Sequence, residues 1–216
     1  MSLLDEYDTA AQAFKDIPII DLTNATSNDA ALRRALAEDI RKASIEVGFF
    51  YIKNHGIPDE TIDSVVSNLQ EFFALSLESK MKIDCKTTPN FKGYSPLLSG
   101  NNDPNNAGDL QEGFEFGWEE LQSKEDSVHS EDGAMAGANV WPSELPSFRI
   151  AALRYYHAAV QLGKLLFPLF AQALNLPEDF FEDKTRNSAA LMKLLHYPPQ
   201  TGEIDPRVIG IGAHTE

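Results

Sequence analysis

Val208-Ile209-Gly210-Ile211-Gly212-Ala213-His214-Thr215-Glu216 is an apolar run that turns polar at its end. The run reads as a β-strand. A strand rises about 3.3 Å per residue and alternates its side chains between faces, so His214 and Glu216 share a face roughly 6–7 Å apart. One metal ion could accept a nitrogen from the first and an oxygen from the second. Non-haem Fe(II) oxygenases use two His and one carboxylate on one face of the iron and leave the remaining positions open. One His and the carboxylate are in this stretch, and the second His is expected beyond Glu216, past the last residue of this sequence. The same donors also accept Zn, so the pair alone does not choose the metal.

Working outward, the chain has 216 residues, 43% hydrophobic and 10% aromatic, enough for a packed core. Its 33 acidic against 18 basic residues give a formal net charge of -15. Such a surface repels phosphate backbones and anionic lipid, so neither nucleic acid nor membrane is expected as a partner. A single cysteine, Cys85, excludes an internal disulfide and fits a reducing compartment. The N-terminus lacks the basic flank and apolar run of a signal peptide, and a cytoplasmic protein is expected.

Ile17-Pro18-Ile19-Ile20-Asp21-Leu22 reads as an edge strand opened by Pro. From about Asn28 to Val47, Ala31, Leu32, Ala35, Leu36, Ile40, Ala43 and Ile45 recur at helical spacing, and Gly48 stands where a C-terminal cap belongs. Phe49–Ile52 follows as a strand. After Pro58 a second helix is expected to bury Ile62, Val65, Val66, Leu69, Phe72 and Phe73. Residues 89–113 read as a loop broken by a strand near Phe91–Tyr94. Glu112-Gly113-Phe114-Glu115-Phe116-Gly117-Trp118 reads as a half-exposed strand, and residues 122–139 as a long polar loop. Ser147 is the expected cap of a helix to Leu174, with a kink at Pro168. A short helix near Pro177–Phe181 and a strand over Leu191–Tyr197 complete an α+β chain.

Seven segments, in order, resemble the isopenicillin-N-synthase-like family of Fe(II)- and 2-oxoglutarate-dependent dioxygenases, most closely its fungal branch. They are IPIIDL at 17–22, GFFYIKNHGIP at 48–58, KGY at 92–94, EGFEFG at 112–117, NVWP at 139–142, KLLHYPPQ at 193–200 and GIGAHTE at 210–216. The resemblance implies a helical N-terminal dioxygenase domain over 1–140. The long helix and first strands of a double-stranded β-helix, or jelly roll, follow over 141–216, incomplete as the sequence stands. It further implies Fe(II), 2-oxoglutarate as cosubstrate and O2, with a small organic molecule hydroxylated, desaturated or ring-closed. His214 corresponds to the family's first metal His, Glu216 to its usual Asp, and Tyr197 to its cosubstrate-contacting Tyr. The family's distal His and its Arg-x-Ser have no counterpart in these 216 residues.

Other candidates are weighed against blander roles. Tyr94, Phe114 and Phe116 either line a substrate pocket or pack the core. His55 reads as structural, and His129 and His157 as incidental. His196 faces away from Tyr197 by strand alternation, which counts against a Zn hydrolase completed by His196. The pair Glu119-Glu120 reads as solvated surface, and Cys85 as unreactive. A non-catalytic family member that binds or oligomerises is the alternative to an oxygenase.

Overall fold

The computed structural model describes residues 16–88, 90–101, 107–121, 138–185, 190–203, 205 and 207–212. Two compact units divide the chain: one takes Met1–Ile57 and Gln161–Ser188, the other Pro58–Val160 and Ala189–Glu216. Among the described residues helix and strand are mixed, as an α+β chain requires.

The first unit opens with β1 (Ile19–Asp21), which pairs in parallel with β2 (Tyr51–Lys53). A parallel pair needs a crossover, and α1 (Ala30–Glu46) supplies it. Asp29 starts that helix by accepting the Ala31 N–H at 2.8 Å. Gly48 ends it: at φ +92° its N–H donates to the Ala43 carbonyl at 3.1 Å, the left-handed stop expected there. Leu36, Ile40 and Ala43 bury their faces with Ile20, Leu22 and Leu169. Arg41 Nη1 donates at 3.0 Å to the Ala173 carbonyl, one of the acceptors a helix end leaves open.

In the second unit α2 (Asp59–Ala74) and α3 (Leu77–Met81) precede a three-stranded antiparallel sheet. Its strands are β3 (Gly93–Ser95), β5 (Glu112–Gly117) and β6 (Leu191–His196), with β5 central. A shorter pair, β4 (Gly108–Asp109) and β7 (Val208–Ile209), runs parallel. Phe72, Phe73, Tyr94, Phe114, Phe116, Phe148, Leu153 and Tyr156 form the core. Phe72 stacks on Phe148 at 4.6 Å between centroids. The remaining helices are α4 (Pro146–Ala173) and α5 (Glu182–Thr185).

Three readings of the sequence need correction. The strand at 112–117 is not half-exposed: every residue but Glu115 is buried. On the face of the two glycines, side chains of the neighbouring strand β6 lean over β5: a Cβ on Gly113 or Gly117 would meet Leu195 or Leu191 at 3.1 and 3.2 Å. Ser147 does not cap α4, because the helix begins one residue earlier, at Pro146. A proline fits a first helical turn, which has no use for its missing N–H. The short helix lies at Glu182–Thr185, just after the stretch expected to form it.

Candidate metal and cosubstrate site

Strand alternation places Glu112, Phe114 and Phe116 on one face of β5, opposite His196, Leu194 and Met192 of β6. A carboxylate therefore sits on an apolar face, with its side chain 6% exposed. Three donors satisfy it. Lys80 Nζ, 8% exposed, donates to Oε2 at 2.8 Å and to the Phe73 carbonyl at 2.9 Å. Tyr94 Oη donates to Oε2 at 2.6 Å, and His196 Nδ1 lies 2.8 Å from Oε1. Burial would raise the Glu112 carboxyl, but these hydrogen bonds outweigh it and hold the group below its usual range. Burial and the bond to Glu112 push the Tyr94 phenol well above its usual value. An ionised Glu112 thus holds the His196 ring on the core face of β6.

Tyr197 follows His196 and, by alternation, belongs to the opposite face, where it is 47% exposed. A Cβ built on Gly210 would lie 3.6 Å from Tyr197 Cδ1, so the ring lies against the chain just after β7. Gln200 Nε2 ties the same region to β7 through the Val208 carbonyl at 3.0 Å. On the other side of β7, the buried Asp109 carboxylate accepts the Gly212 N–H at 2.9 Å through Oδ1.

Residues 17–144 match the family described as "non-haem dioxygenase in morphine synthesis N-terminal". The chain belongs to the non-haem dioxygenases. A 2-oxoglutarate-Fe(II) type oxidoreductase of Emericella nidulans is 35% identical over 204 residues, covering 92% of this chain and 58% of that protein. A 2-oxoglutarate-dependent dioxygenase of Penicillium crustosum is 34% identical over 209 residues, 94% of this chain and 62% of that one. The chain therefore spans less than two thirds of the length of these relatives. A full-length Neurospora crassa protein solved in complex with alpha-KG superimposes with a TM-score of 0.66 at 27% identity, over 84% of this chain and 54% of that one. The likeness to relatives from fungi agrees with the branch that the sequence resembles.

His214 and Glu216 lie outside the described residues, as does His129. Among the described residues no group of three or more His, Cys, Asp or Glu is placed to hold a metal. The donor chemistry of His214 and Glu216, one imidazole and one carboxylate, fits Fe(II). Tyr94, Phe114 and Phe116 are enclosed in the core, at 1%, 0% and 0% exposure. A substrate would reach them only if that core opened. His55 is structural, its Nδ1 accepting the Ile57 N–H at 3.1 Å. A groove walled by Ile19, Asp21, Leu32, Leu36 and Asp39 in the first unit holds none of the candidate residues.

Two polar centres were not foreseen. Glu112 carried a usable signal, since a period of two places it on the same face as Phe114 and Phe116. Glu119 is not solvated surface. Its Oε1 accepts Arg149 Nε at 2.7 Å, and its Oε2 accepts Asn139 Nδ2 at 2.9 Å and Trp141 Nε1 at 3.0 Å. Partners 20 to 30 residues away are invisible to local pattern.

Proposed function

We propose that this chain serves Fe(II)- and 2-oxoglutarate-dependent oxygenation of a small organic molecule, with hydroxylation, desaturation or ring closure as the outcome. In this reading 1–140 is the N-terminal dioxygenase domain. Residues 141–216 bring the long helix and the first strands of a double-stranded β-helix. The family match over 17–144 supports it, as does the likeness to relatives called 2-oxoglutarate-dependent dioxygenases. The observation that carries it to particular residues is the Tyr197 ring lying against Gly210, four positions before His214.

His214 and Glu216 would hold Fe(II), which supplies O2 activation at the expense of 2-oxoglutarate. The protein's part is to orient and shield. Tyr197, half-exposed and lying against Gly210, offers a phenolic hydroxyl to the cosubstrate. His196, turned to the core by Glu112, fixes the end of β6 and with it the start of Tyr197. A bound small molecule would occupy space on the open face of β6. The family's distal His and cosubstrate Arg would come from sequence beyond Glu216.

Succinate release from 2-oxoglutarate under O2 tests this. The 216 residues alone are expected to release none above an iron-only blank. Joined to a segment that supplies the second His and the Arg, they are expected to release it, and His214→Ala is expected to abolish it. Release that survives His214→Ala would overturn the reading.

A further inference from the structure

The three-stranded sheet has a second face, turned away from the aromatic core. By alternation β5 presents Gly113, Glu115 and Gly117 there, and β6 presents Leu191, Lys193 and Leu195. Glu115 and Lys193 are the only charged residues that the three strands place on this face. They are register partners, yet no ion pair joins them. Gly113 accounts for this. With no side chain in the way, the Lys193 stem lies across it: a Cβ there would stand 3.1 Å from Lys193 Cε. Gly113 pairs with Leu195, so the lysine leans off Glu115 toward the Tyr197 end of β6.

Glu115 acts instead on Lys92, a buried ammonium at 3% exposure. Lys193 is exposed, and among the described residues its side chain has neither a hydrogen bond nor an ion pair. The chain has 33 acidic residues to 18 basic ones, so acids are plentiful, and this lysine turns from the one opposite it. Its neighbours in the row are apolar. Leu191 precedes it and Leu195, 36% exposed, follows, with the half-exposed Tyr197 next. Four residues of strand separate Lys193 from Tyr197, about 13 Å. That span, floored by Leu195, suits an apolar body of one ring whose acidic group meets the ammonium.

We propose that Lys193 determines specificity: it receives the carboxylate of a small acid whose apolar body lies on Leu195, between Lys193 and Tyr197. The inference rests on the reading of this chain as serving oxygenation of a small molecule, and it names the substrate class of that site. An ammonium gives a carboxylate charge-assisted hydrogen bonds, which a neutral molecule of the same shape does not receive.

The test uses the 216-residue chain without metal, with benzoate as the probe and benzamide as its neutral counterpart. Binding is followed by NMR at the Leu191 and Leu195 methyls and the Tyr197 ring. Benzoate is expected to shift these signals saturably, and benzamide to bind roughly fivefold more weakly, the scale of one exposed ion pair. Lys193→Met keeps a stem of similar length and is expected to bring benzoate down to the benzamide level. Lys193→Arg keeps the charge and is expected to retain benzoate. Because Lys193 is exposed, neither variant is expected to disturb the core. Equal affinity for benzoate and benzamide overturns the proposal, as does undiminished benzoate binding in Lys193→Met, or no saturable shift at all. An equal loss in Lys193→Arg would assign the effect to shape and overturns it too. Metal-free 2-oxoglutarate is expected to bind at these signals more weakly than benzoate. Tighter binding that Lys193→Met removes would assign the cation to the cosubstrate and overturn the proposal. No iron takes part, so a failure of the iron reading leaves these results in place and shows as missing succinate release from the extended chain. A failure of the proposal alone shows as binding independent of Lys193 with succinate release intact.

Discussion

Glu112 is tolerable on an apolar face because Lys80, Tyr94 and His196 supply its bonds. Removing one partner of a buried ion pair leaves an uncompensated charge, at a cost of about 3–5 kcal/mol. Lys80→Met is therefore expected to lower unfolding stability by that amount, read by urea denaturation. Replacing Lys80 and Glu112 together by apolar residues should recover much of it, since a packed apolar pair is often no worse than a buried ionic one. The pH dependence follows from the sign of the shift. The Glu112 carboxyl is held below its ordinary 4.5 in the folded chain. Its contribution is then fully present above the unfolded value and is lost as pH falls through the folded one. Glu112→Gln should flatten the acid limb of the stability profile. An unchanged acid limb would show that the carboxylate is not ionised in the fold.

At the level of elements, Gly93 decides whether β3 can start where it does. Its φ is +127°, and a Cβ there would stand 2.3 Å from the Ile83 carbonyl oxygen. That carbonyl is also the acceptor for Tyr94 N–H at 2.8 Å, so the backbone cannot simply retreat. Gly93→Ala is expected to cost about 3 kcal/mol or more, combining a forbidden backbone region with a clash. A loss under about 1 kcal/mol in thermal unfolding would contradict this placement. The α1 and α2 helices were legible because their apolar spacing is local. The same holds for strand β6 and for the glycine stop at Gly48. Strand β5 was misjudged because alternation shows which residues share a face but not how far side chains of a neighbouring strand lean over glycines on the other. The β4–β7 pairing left no local trace: two residues per strand, joined across a hundred positions, are held by backbone bonds and one buried acid.

For the whole molecule, membership of the non-haem dioxygenases was legible from seven short segments in order, five of which carry strands β1, β2, β3, β5 and β6. What the sequence could not supply were the long-range partners that satisfy buried charge, such as Arg149 for Glu119. No helix among the described residues is long and apolar enough to cross a membrane. With two candidate protein donors in these 216 residues, Fe(II) should bind, but less tightly than in a site with three. The direct measurement is anaerobic equilibrium dialysis of Fe(II) against the chain, wild type beside the double variant His214→Ala, Glu216→Ala. Saturable retention in wild type and its loss in the double variant is the predicted result; equal retention in both would contradict the assignment of the iron to this pair.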